Sequence, residues 1–321
     1  MADISVIIPA RDRLWSLPKA VSSCRSSRLD IQIIVIDDSS TDGTGEWLQQ
    51  QSDITALKGE GWGKPWGINR ALPMVTGTYL RFLDADDWLS PGANERQHDL
   101  AERDKADLVV AGFDIYRDEM FSEPKDWIPT DDFIAQQLGE APGSHYSAFL
   151  FRTDFARHIP HRTLFPAADF ASRDDRCFIL EVALRHPRVS VCRERTLCHR
   201  HHDRQRLQFH TALRGAGTNI QHLYIYRQIL RLLEDRGELT ERRKRAAVKM
   251  LWPLAHWVAY HDLKEAKEIA LWIQELDPGF SPPERGLLGL LYKKAGFSAT
   301  EKLLRFRRQL VAMMRPLKAA D

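Results

Sequence analysis

Short apolar runs alternate with amphipathic segments through the first third of the chain. The apolar runs are rich in β-branched residues, as buried strands are, and they lie at 4–8, 31–36, 78–83 and 107–113. The segments between them have the spacing of helices and lie near 15–25, 42–51, 66–75 and 91–103. Strands that alternate with helices predict a mostly parallel sheet covered on both faces, and therefore an α/β fold.

The pattern changes beyond residue 113. Residues 114–145 are polar and contain proline, residues 145–152 are expected to form one more strand, and residues 174–185 have helical spacing. After about residue 205 only helical patterns remain, and they lie near 219–235, 241–260, 262–276, 284–295 and 299–314. The second part of the chain is therefore predicted to be all-helical.

Charge divides the chain at the same place. Residues 205–321 carry 21 Lys and Arg against 12 Asp and Glu, which leaves 25 against 32 for residues 1–204. We expect two domains with these bounds. The acidic part suits a cation-dependent site, and the basic part suits either an anionic surface such as lipid headgroups or simply solvated helix faces.

Composition favours an ordinary folded protein in a reducing compartment. The chain has 321 residues, of which 43% are apolar and 28% are charged. The longest apolar stretch, 250–260, is broken by Pro253 and His256 and is shorter than the roughly 20 residues of a membrane span. The first residues enter a strand without a secretory signal, and the four cysteines lack disulfide-framework spacing. These features predict a cytoplasmic protein.

A cluster of carboxylates follows the apolar run 78–83. The segment YLRFLDADDWLSPG contains Asp84, Asp86 and Asp87 but no Lys or Arg after the strand. Like charges this close cost folding free energy unless water, a cation or protonation relieves them. In α/β sheets ligands bind at the carboxyl ends of strands, where Pro9 to Asp12 and Asp37 to Ser40 also lie. The sequence therefore predicts a binding site at this edge.

The pair Asp37-Asp38 has more than one interpretation. Receiver domains of signalling proteins also end a strand in two aspartates, but they do so at the first strand, whereas this pair closes the second. The segment from Ser39 to Asp42 is able to cap the following helix, so both aspartates are alternatively residues of a turn and a cap.

Five segments resemble, in order and spacing, the motifs of family 2 glycosyltransferases. They are VIIPARDR (6–13), IIVIDDSSTDGT (33–44), GWGKPWGINRAL (61–72), FLDADDWLSPGA (82–93) and ASRDDRCFILEVALR (171–185). The resemblance covers roughly residues 3–204. It implies a GT-A fold, which is a Rossmann-like nucleotide-binding sheet, with residues 1–113 on the nucleotide-sugar side and 114–204 on the acceptor side. It also implies a nucleotide-sugar donor, a divalent cation (Mn²⁺ or Mg²⁺) and inversion at the anomeric carbon.

The resemblance assigns the metal to the Asp-x-Asp motif. Asp86 is the implied ligand, with Asp84 and Ala85 on the donor side, because a hard cation held by carboxylates neutralises a diphosphate leaving group. Asp87 receives no definite role. The segment His199 to His202 matches the family pattern in which a final histidine is a further metal ligand, which makes His202 a metal candidate or a histidine beside the pyrophosphate. A zinc site with Cys192 and Cys198 is disfavoured by the absence of a Cys-x-x-Cys spacing.

The same comparison assigns the donor contacts. Asp38 matches the residue that accepts a hydrogen bond from the nucleobase, and Pro9 and Ala10 match the segment that flanks the base. Arg11 stands where the family often has an aromatic residue, which leaves the base unassigned, although UDP is the family-level expectation. Lys64 lies where the family places a basic residue near the diphosphate, or it is a solvated loop lysine.

Asp174 and Asp175 match the Glu-Asp pair that supplies the catalytic base. By this match Asp175 accepts the proton of the acceptor hydroxyl, whereas Asp174, shortened from the usual Glu, orients its neighbour or caps the helix. A single carboxylate is sufficient for such a transfer when it is positioned.

The sequence thus predicts a metal-dependent inverting glycosyltransferase with a saccharide or lipid-linked saccharide acceptor, acting in cell-surface polysaccharide synthesis and without a nucleic-acid partner. A catalytically degenerate binding module is the alternative, favoured by the departures at Arg11 and Asp174. A sugar-phosphate nucleotidyltransferase is less consistent, since PARDRLWSLPK has no glycine for a triphosphate loop. A nicotinamide dehydrogenase is excluded because no G-x-G-x-x-G follows an early strand.

The last helical pattern has the features of a basic helix at a membrane surface. Its apolar residues are able to share one face between cations, and they are Leu303, Leu304, Leu310, Val311, Met314 and Leu317. Packing of this face against neighbouring helices is the alternative.

Overall fold

The structure is a computed structural model that describes residues 2–61, 63–162, 174–202 and 212–314, with the backbone alone for 212–220 and 309–314. The chain divides into two compact units. The first comprises residues 1–137 and 141–208, and the second comprises residues 138–140 and 209–321.

The first unit contains the strands, which are short and form two sheets. They are β1 (Ile4–Ala10), β2 (Ile31–Asp37), β3 (Ile54–Lys58), β4 (Tyr79–Phe82), β5 (Trp88–Leu89), β6 (Leu108–Val110), β7 (Phe113–Arg117), β8 (Met120–Lys125), β9 (Leu150–Arg152), β10 (Val189–Val191) and β11 (Leu197–Arg200). The larger sheet has the order β10-β6-β9-β4-β1-β2-β3, and the smaller has the order β5-β11-β7-β8. In the larger sheet β9 runs antiparallel to its neighbours and the other pairings are parallel. The predicted mostly parallel sheet is confirmed.

Helices connect these strands. They are α1 (Leu17–Arg25), α2 (Thr44–Gln49), α3 (Lys64–Ala71), α4 (Ala93–Asp104), α5 (Phe133–Leu138), α6 (Thr153–Ala156) and α7 (Asp174–Ala183). Two 3-10 turns, Leu72–Met74 and Tyr146–Ala148, complete the connections described. Helix α1 shows why the pattern predicts them: Leu17, Ala20, Val21 and Cys24 recur at helical spacing and are all buried.

One charged side chain lies within the buried core of the larger sheet. Arg81 in β4 is fully buried and donates hydrogen bonds to the carbonyl oxygens of Ser147 and Phe149 and to Oε1 of Gln97. These bonds offset part of the cost of burying the guanidinium, although its Nε has no hydrogen-bond partner among the described residues. Arg81 thereby fixes the segment before β9 against the strand that carries the carboxylate cluster.

Two strand predictions need correction. The predicted strand at 145–152 begins instead with the 3-10 turn and is extended only from residue 150, because Tyr146 to Ala148 turn to meet Arg81. The predicted run at 107–113 divides between sheets, with β6 in the larger sheet and β7 beginning at Phe113 in the smaller one.

The second unit contains helices α8 (Ala212–Asp235), α9 (Glu241–Ala259), α10 (Leu263–Leu276) and α11 (Gly286–Met314). Helix α11 is interrupted at Gly296, whose φ of 76° is not helical. Glu301 is buried and accepts hydrogen bonds from Tyr292 (2.6 Å) and from Nδ1 of His256 (2.6 Å). In the part of the chain that the structure describes, no helix is long and apolar enough to cross a membrane.

Candidate donor and metal site

The site lies where β1, β2 and β4 end. These strands are parallel neighbours, so their carboxyl ends meet at one edge of the sheet. The backbone N–H of Asp38 donates to the carbonyl oxygen of Ala10 (2.8 Å), and that of Leu83 donates to Ile7 (3.0 Å). The polar segments that follow these three strands therefore begin at neighbouring positions on one edge of the sheet.

Asp84 is paired with a lysine from helix α3. Nζ of Lys64 lies 2.7 Å from Oδ1 of Asp84, and the side chains are 13% and 25% exposed. Burial alone would lower the pKa of Lys64, but Asp84 and further anionic groups outweigh it and raise that pKa. Burial disfavours the ionised form of Asp84, but the charge of Lys64 favours it. The net effect is a lowered pKa for Asp84. Lys64 is therefore not a solvated loop lysine.

Asp86 contacts the histidine with which it was grouped as a metal candidate. Nε2 of His202 lies 3.0 Å from Oδ2 of Asp86, and Nε of Arg13 lies 3.7 Å from the same oxygen. Burial would raise the pKa of Asp86, but the hydrogen bond from His202 and the charge of Arg13 lower it to about 2. The ring of Trp15 contacts His202 edge-on, with centroids 4.8 Å apart.

These two residues fit a divalent cation. A carboxylate oxygen and an imidazole nitrogen 3.0 Å apart are able to bind the same ion, and both are ligand types that Mn²⁺ accepts. The side chain of Asp86 is 21% exposed, so the ion would remain open on one side to oxygens of a bound phosphate.

Asp87 contacts different residues from those that contact Asp86. Its side chain is fully buried, lies 3.0 Å from Nδ1 of His199 and accepts a hydrogen bond from the backbone N–H of Arg200 (2.8 Å). With Lys64 on Asp84 and His202 on Asp86, each carboxylate of the cluster has a basic partner. The segment itself has no Lys or Arg after the strand, and these partners come from distant parts of the chain.

Asp38 holds the loop that leads into α3. Its Oδ1 accepts from the N–H of Gly61 (2.8 Å) and its Oδ2 from that of Gly63 (3.0 Å). A Cβ on Gly59 would lie 2.6 Å from Oδ1 of Asp38, and Gly61 and Gly63 have φ of 76° and 97°. The loop therefore needs glycine at these positions. A carboxylate oxygen is able to accept a second hydrogen bond in addition to these.

The donor-side candidates at the end of β1 differ in how exposed they are. Ala10 is buried, Pro9 is half-buried and Arg11 is exposed. Ala85, within the carboxylate cluster, is buried. Arg11 is therefore the one exposed residue among these four donor-side candidates.

The two aspartates that begin α7 have different surroundings. Asp174 is buried, whereas Asp175 is half-buried and its Oδ1 accepts from the N–H of Arg176 (2.7 Å). Burial raises the pKa of Asp174 to about 7, with the charges of Asp175 and Asp84 adding to this effect and that of Lys64 opposing it. The first residues of this motif, 171–173, lie outside the described residues.

Asn69 and His145 make further contacts within the first unit. The side-chain amide of Asn69 donates a hydrogen bond to the carbonyl oxygen of His161 (2.7 Å) and accepts one from its N–H (2.8 Å), so Asn69 braces the fold. His145, which no sequence pattern marked, has Nε2 at 3.5 Å from Oδ2 of Asp84. The four cysteines are free thiols.

Comparison with known families finds one similar family. Residues 5–160 match the model of the family described as Glycosyl transferase family 2. This part of the first unit is therefore similar to family 2 glycosyltransferases, the family that the sequence motifs resemble.

Similar proteins agree with this assignment. The chain is 24% identical over 177 residues to the uncharacterized glycosyltransferase EpsJ of Bacillus subtilis, covering 50% of this chain and 49% of that protein. It is 35% identical over 100 residues to a GalNAc(5)-diNAcBac-PP-undecaprenol beta-1,3-glucosyltransferase of Campylobacter jejuni, covering 29% and 32%. The chain thus spans half or less of the length of these relatives.

Solved structures confirm the GT-A-like fold. Residues 1–349 of S. aureus TarS in complex with UDP-GlcNAc superpose with a TM-score of 0.55 at 14% identity, covering 96% of this chain and 92% of that one. The mannosyltransferase PcManGT of Pyrobaculum calidifontis, in complex with GDP-Man and Mn²⁺, has a TM-score of 0.50 at 15% identity, covering 97% and 85%.

Proposed function

We propose that the protein is a metal-dependent inverting glycosyltransferase that moves a sugar from a UDP-sugar to a saccharide or lipid-linked saccharide in cell-surface polysaccharide synthesis. The observation that carries this proposal is the contact between Asp86 and His202 at the edge where β1, β2 and β4 end. Binding of UDP-GlcNAc by TarS, and an undecaprenol-linked name among the relatives, support the donor and acceptor classes.

Asp86 and His202 would hold Mn²⁺ or Mg²⁺. When bound, the ion neutralises negative charge on the diphosphate leaving group. Lys64, held by Asp84 beside these ligands, adds a fixed positive charge on the same side. Arg13, 3.7 Å from Asp86, is a second cation that the sequence motifs did not single out.

The nucleoside is assigned to the ends of β1 and β2. Asp38 accepts a hydrogen bond from the base through a lone pair not used by the loop, and Pro9 and Ala10 flank the base. Arg11, exposed at the strand end, contacts the donor from the solvent side. Ala85 allows close approach of the sugar between Asp84 and Asp86.

Asp175 acts as the general base. The acceptor oxygen attacks the anomeric carbon as its bond to the diphosphate breaks, and the hydroxyl proton passes to the carboxylate of Asp175. The products are the inverted glycoside, the nucleoside diphosphate and protonated Asp175. Asp174 orients its neighbour at the start of α7, where the helix N-terminus favours negative charge.

We assign a separate role to each predicted part of the chain. Residues 1–113 bind the donor, residues 114–204 face the acceptor, and residues 205–321 form a helical domain that brings the enzyme to the cytoplasmic face of a membrane. Lys302, Leu303, Phe306 and Arg307 are exposed on α11, with Leu303 51% and Phe306 59% exposed, which supports an anionic surface as partner.

A thermal-shift screen tests the proposal. Nucleotide sugars that differ in base and sugar are added to the protein with Mn²⁺, with Mg²⁺ or with EDTA. We expect a UDP-sugar to raise the melting temperature only when a cation is present. Release of UDP on addition of saccharide acceptors then distinguishes an enzyme from a binding module, which would bind the donor without turnover.

A further inference from the structure

Three ligand groups meet beside the Asp86–His202 pair without including either residue. Asp87 lies in the turn after β4, His145 precedes the 3-10 turn at Tyr146–Ala148, and His199 lies in β11. One ligand atom of each residue lies within 4.8 Å of the other two. Among the residues that the structure describes, this is the one group of three His, Cys, Asp or Glu side chains with that spacing.

His199 contacts both of the other two side chains. Nδ1 of His199 lies 3.0 Å from Oδ2 of Asp87, and the rings of His199 and His145 are stacked with centroids 4.7 Å apart. The carboxylate of Asp87 is fully buried, whereas the histidine side chains are 18% and 22% exposed. An ion would therefore enter from the histidine side.

This donor set selects a different ion from the neighbouring pair. Two imidazoles and one carboxylate suit Zn²⁺ and Co²⁺, which accept nitrogen ligands in tetrahedral sites. Mg²⁺ prefers oxygen ligands and loses its water reluctantly. The Asp86–His202 pair, by contrast, offers a single nitrogen ligand, from His202, and leaves room for phosphate oxygens.

We propose that Asp87, His145 and His199 form a second cation site, selective for Zn²⁺ over Mg²⁺, adjacent to the Asp86–His202 pair. The ion takes the place of the direct contact between Asp87 and His199, so that both side chains bind it instead of each other. Water, or the nearby Oδ2 of Asp84, supplies the fourth ligand. The proposal holds whether or not the protein transfers a sugar.

Occupation of this site would link three segments that are far apart in sequence. The turn after β4, the segment before β9 and strand β11 would be joined through one ion. Because the ion binds the folded chain and not the unfolded one, Zn²⁺ is expected to raise the melting temperature.

The test uses the full-length protein and Co²⁺ as a spectroscopic probe. Co²⁺ should give the visible absorption bands of a four-coordinate site, Zn²⁺ should displace it, and millimolar Mg²⁺ should not. His145→Gln and His199→Gln should each lower Zn²⁺ affinity by more than about 100-fold, since loss of even an outer-shell partner costs about 10–100-fold. Far-UV circular dichroism in EDTA confirms that both variants are folded.

Two other variants serve as controls. His98→Gln alters a histidine that is 18% exposed and lies 3.7 Å from Asp99, a comparable histidine–carboxylate pair in the same unit, and should leave Zn²⁺ affinity unchanged. His202→Gln should change it by no more than a few-fold. Loss of binding in His202→Gln with retention in His145→Gln would overturn the proposal. So would the absence of four-coordinate Co²⁺ bands in the wild-type protein, a result that does not depend on any variant.

Discussion

Nζ of Lys64 lies 2.7 Å from Oδ1 of Asp84, so the first residue of α3 neutralises the first carboxylate after β4. Removing the amine leaves a part-buried charge without its main partner. We expect Lys64→Met to lower the free energy of unfolding by about 1–3 kcal/mol, less than for a fully buried pair. Urea unfolding measures this change.

A double-mutant cycle separates the pair from the side chains themselves. Adding Asp84→Asn to Lys64→Met should recover part of the loss, because no uncompensated charge then remains. Arg28→Met, which removes a well-exposed partner of Asp99, is the control and should leave the unfolding midpoint unchanged. Strictly additive effects of the two substitutions would show that the ion pair is not coupled.

Asp86→Asn is predicted to abolish cation-dependent binding of UDP. The amide keeps the shape of the side chain but lacks the charge that binds the ion. Calorimetric titration of UDP in Mn²⁺ and in EDTA measures the effect, and circular dichroism reports on folding. His202→Gln should weaken the same binding, whereas Asp99→Asn, at a side chain in helix α4 that is 60% exposed, should not. Unchanged UDP affinity in Asp86→Asn would refute the metal assignment.

Asp175→Asn is predicted to separate turnover from donor binding. Turnover should fall by about 10²–10⁴, the usual contribution of a positioned general base, while donor affinity stays nearly the same. Asp174→Asn should cost much less, since Asp174 is buried and its proposed role is only to orient its neighbour. The reverse order of effects would show that the base is Asp174, and full activity of both variants would exclude the pair.

The fold was predictable wherever strands are buried on both faces. Runs such as Ile4–Ala10 and Ile31–Asp37 are mostly apolar and were recognised from the sequence. Strand β3 was missed because it pairs on one side only, and its residues are half-buried or exposed. The smaller sheet was missed because β5 has only two residues and β8 is exposed throughout. Tertiary pairing rather than local pattern defines such strands.

The site was predictable only as separate motifs. The carboxylates and His202 were identified individually, but their partners depend on the fold, because 116 residues separate Asp86 from His202. His145 lies in a polar segment with no periodicity, and it reaches Asp84 only because Arg81 holds the adjacent turn against β4. No local signal encodes a contact of that kind.

The buried carboxyl of Asp174 is predicted to make stability depend on pH. Its pKa is raised to about 7 in the folded protein, against about 3.9 in an unfolded chain. The folded state therefore binds the proton more tightly, and the free energy of unfolding should fall as the pH rises from about 4 to about 7, by at most about 4 kcal/mol.

Asp174→Asn checks this assignment because the amide stays neutral at every pH. Relative to wild type, the variant should gain stability progressively over that interval and little below it. Urea unfolding at pH 4, 5.5, 7 and 8 gives the comparison. A difference that does not change with pH would show that Asp174 does not hold the proton.

The exposed residues of α11 are predicted to bind anionic membranes. Leu303 and Phe306 lie next to Lys302 and Arg307, so apolar insertion and charge attraction act together. The predicted apolar face continues from Leu310 to Leu317, and the side chains of those residues are not among those that the structure describes. Replacing Leu303 and Phe306 by Ser should lower vesicle affinity about 10-fold or more, because burial of each such side chain contributes about 1.5–3 kcal/mol.

Sedimentation with phosphatidylglycerol vesicles measures that affinity, with phosphatidylcholine vesicles for comparison. Added salt should weaken binding to the anionic vesicles, since surface charges are screened. The paired substitutions Met120→Ser and Phe121→Ser, at side chains 67% and 62% exposed in the other unit, are the matched control and should have no effect. Equal sedimentation of wild type and the Leu303/Phe306 variant would mean that this face of α11 does not contact lipid.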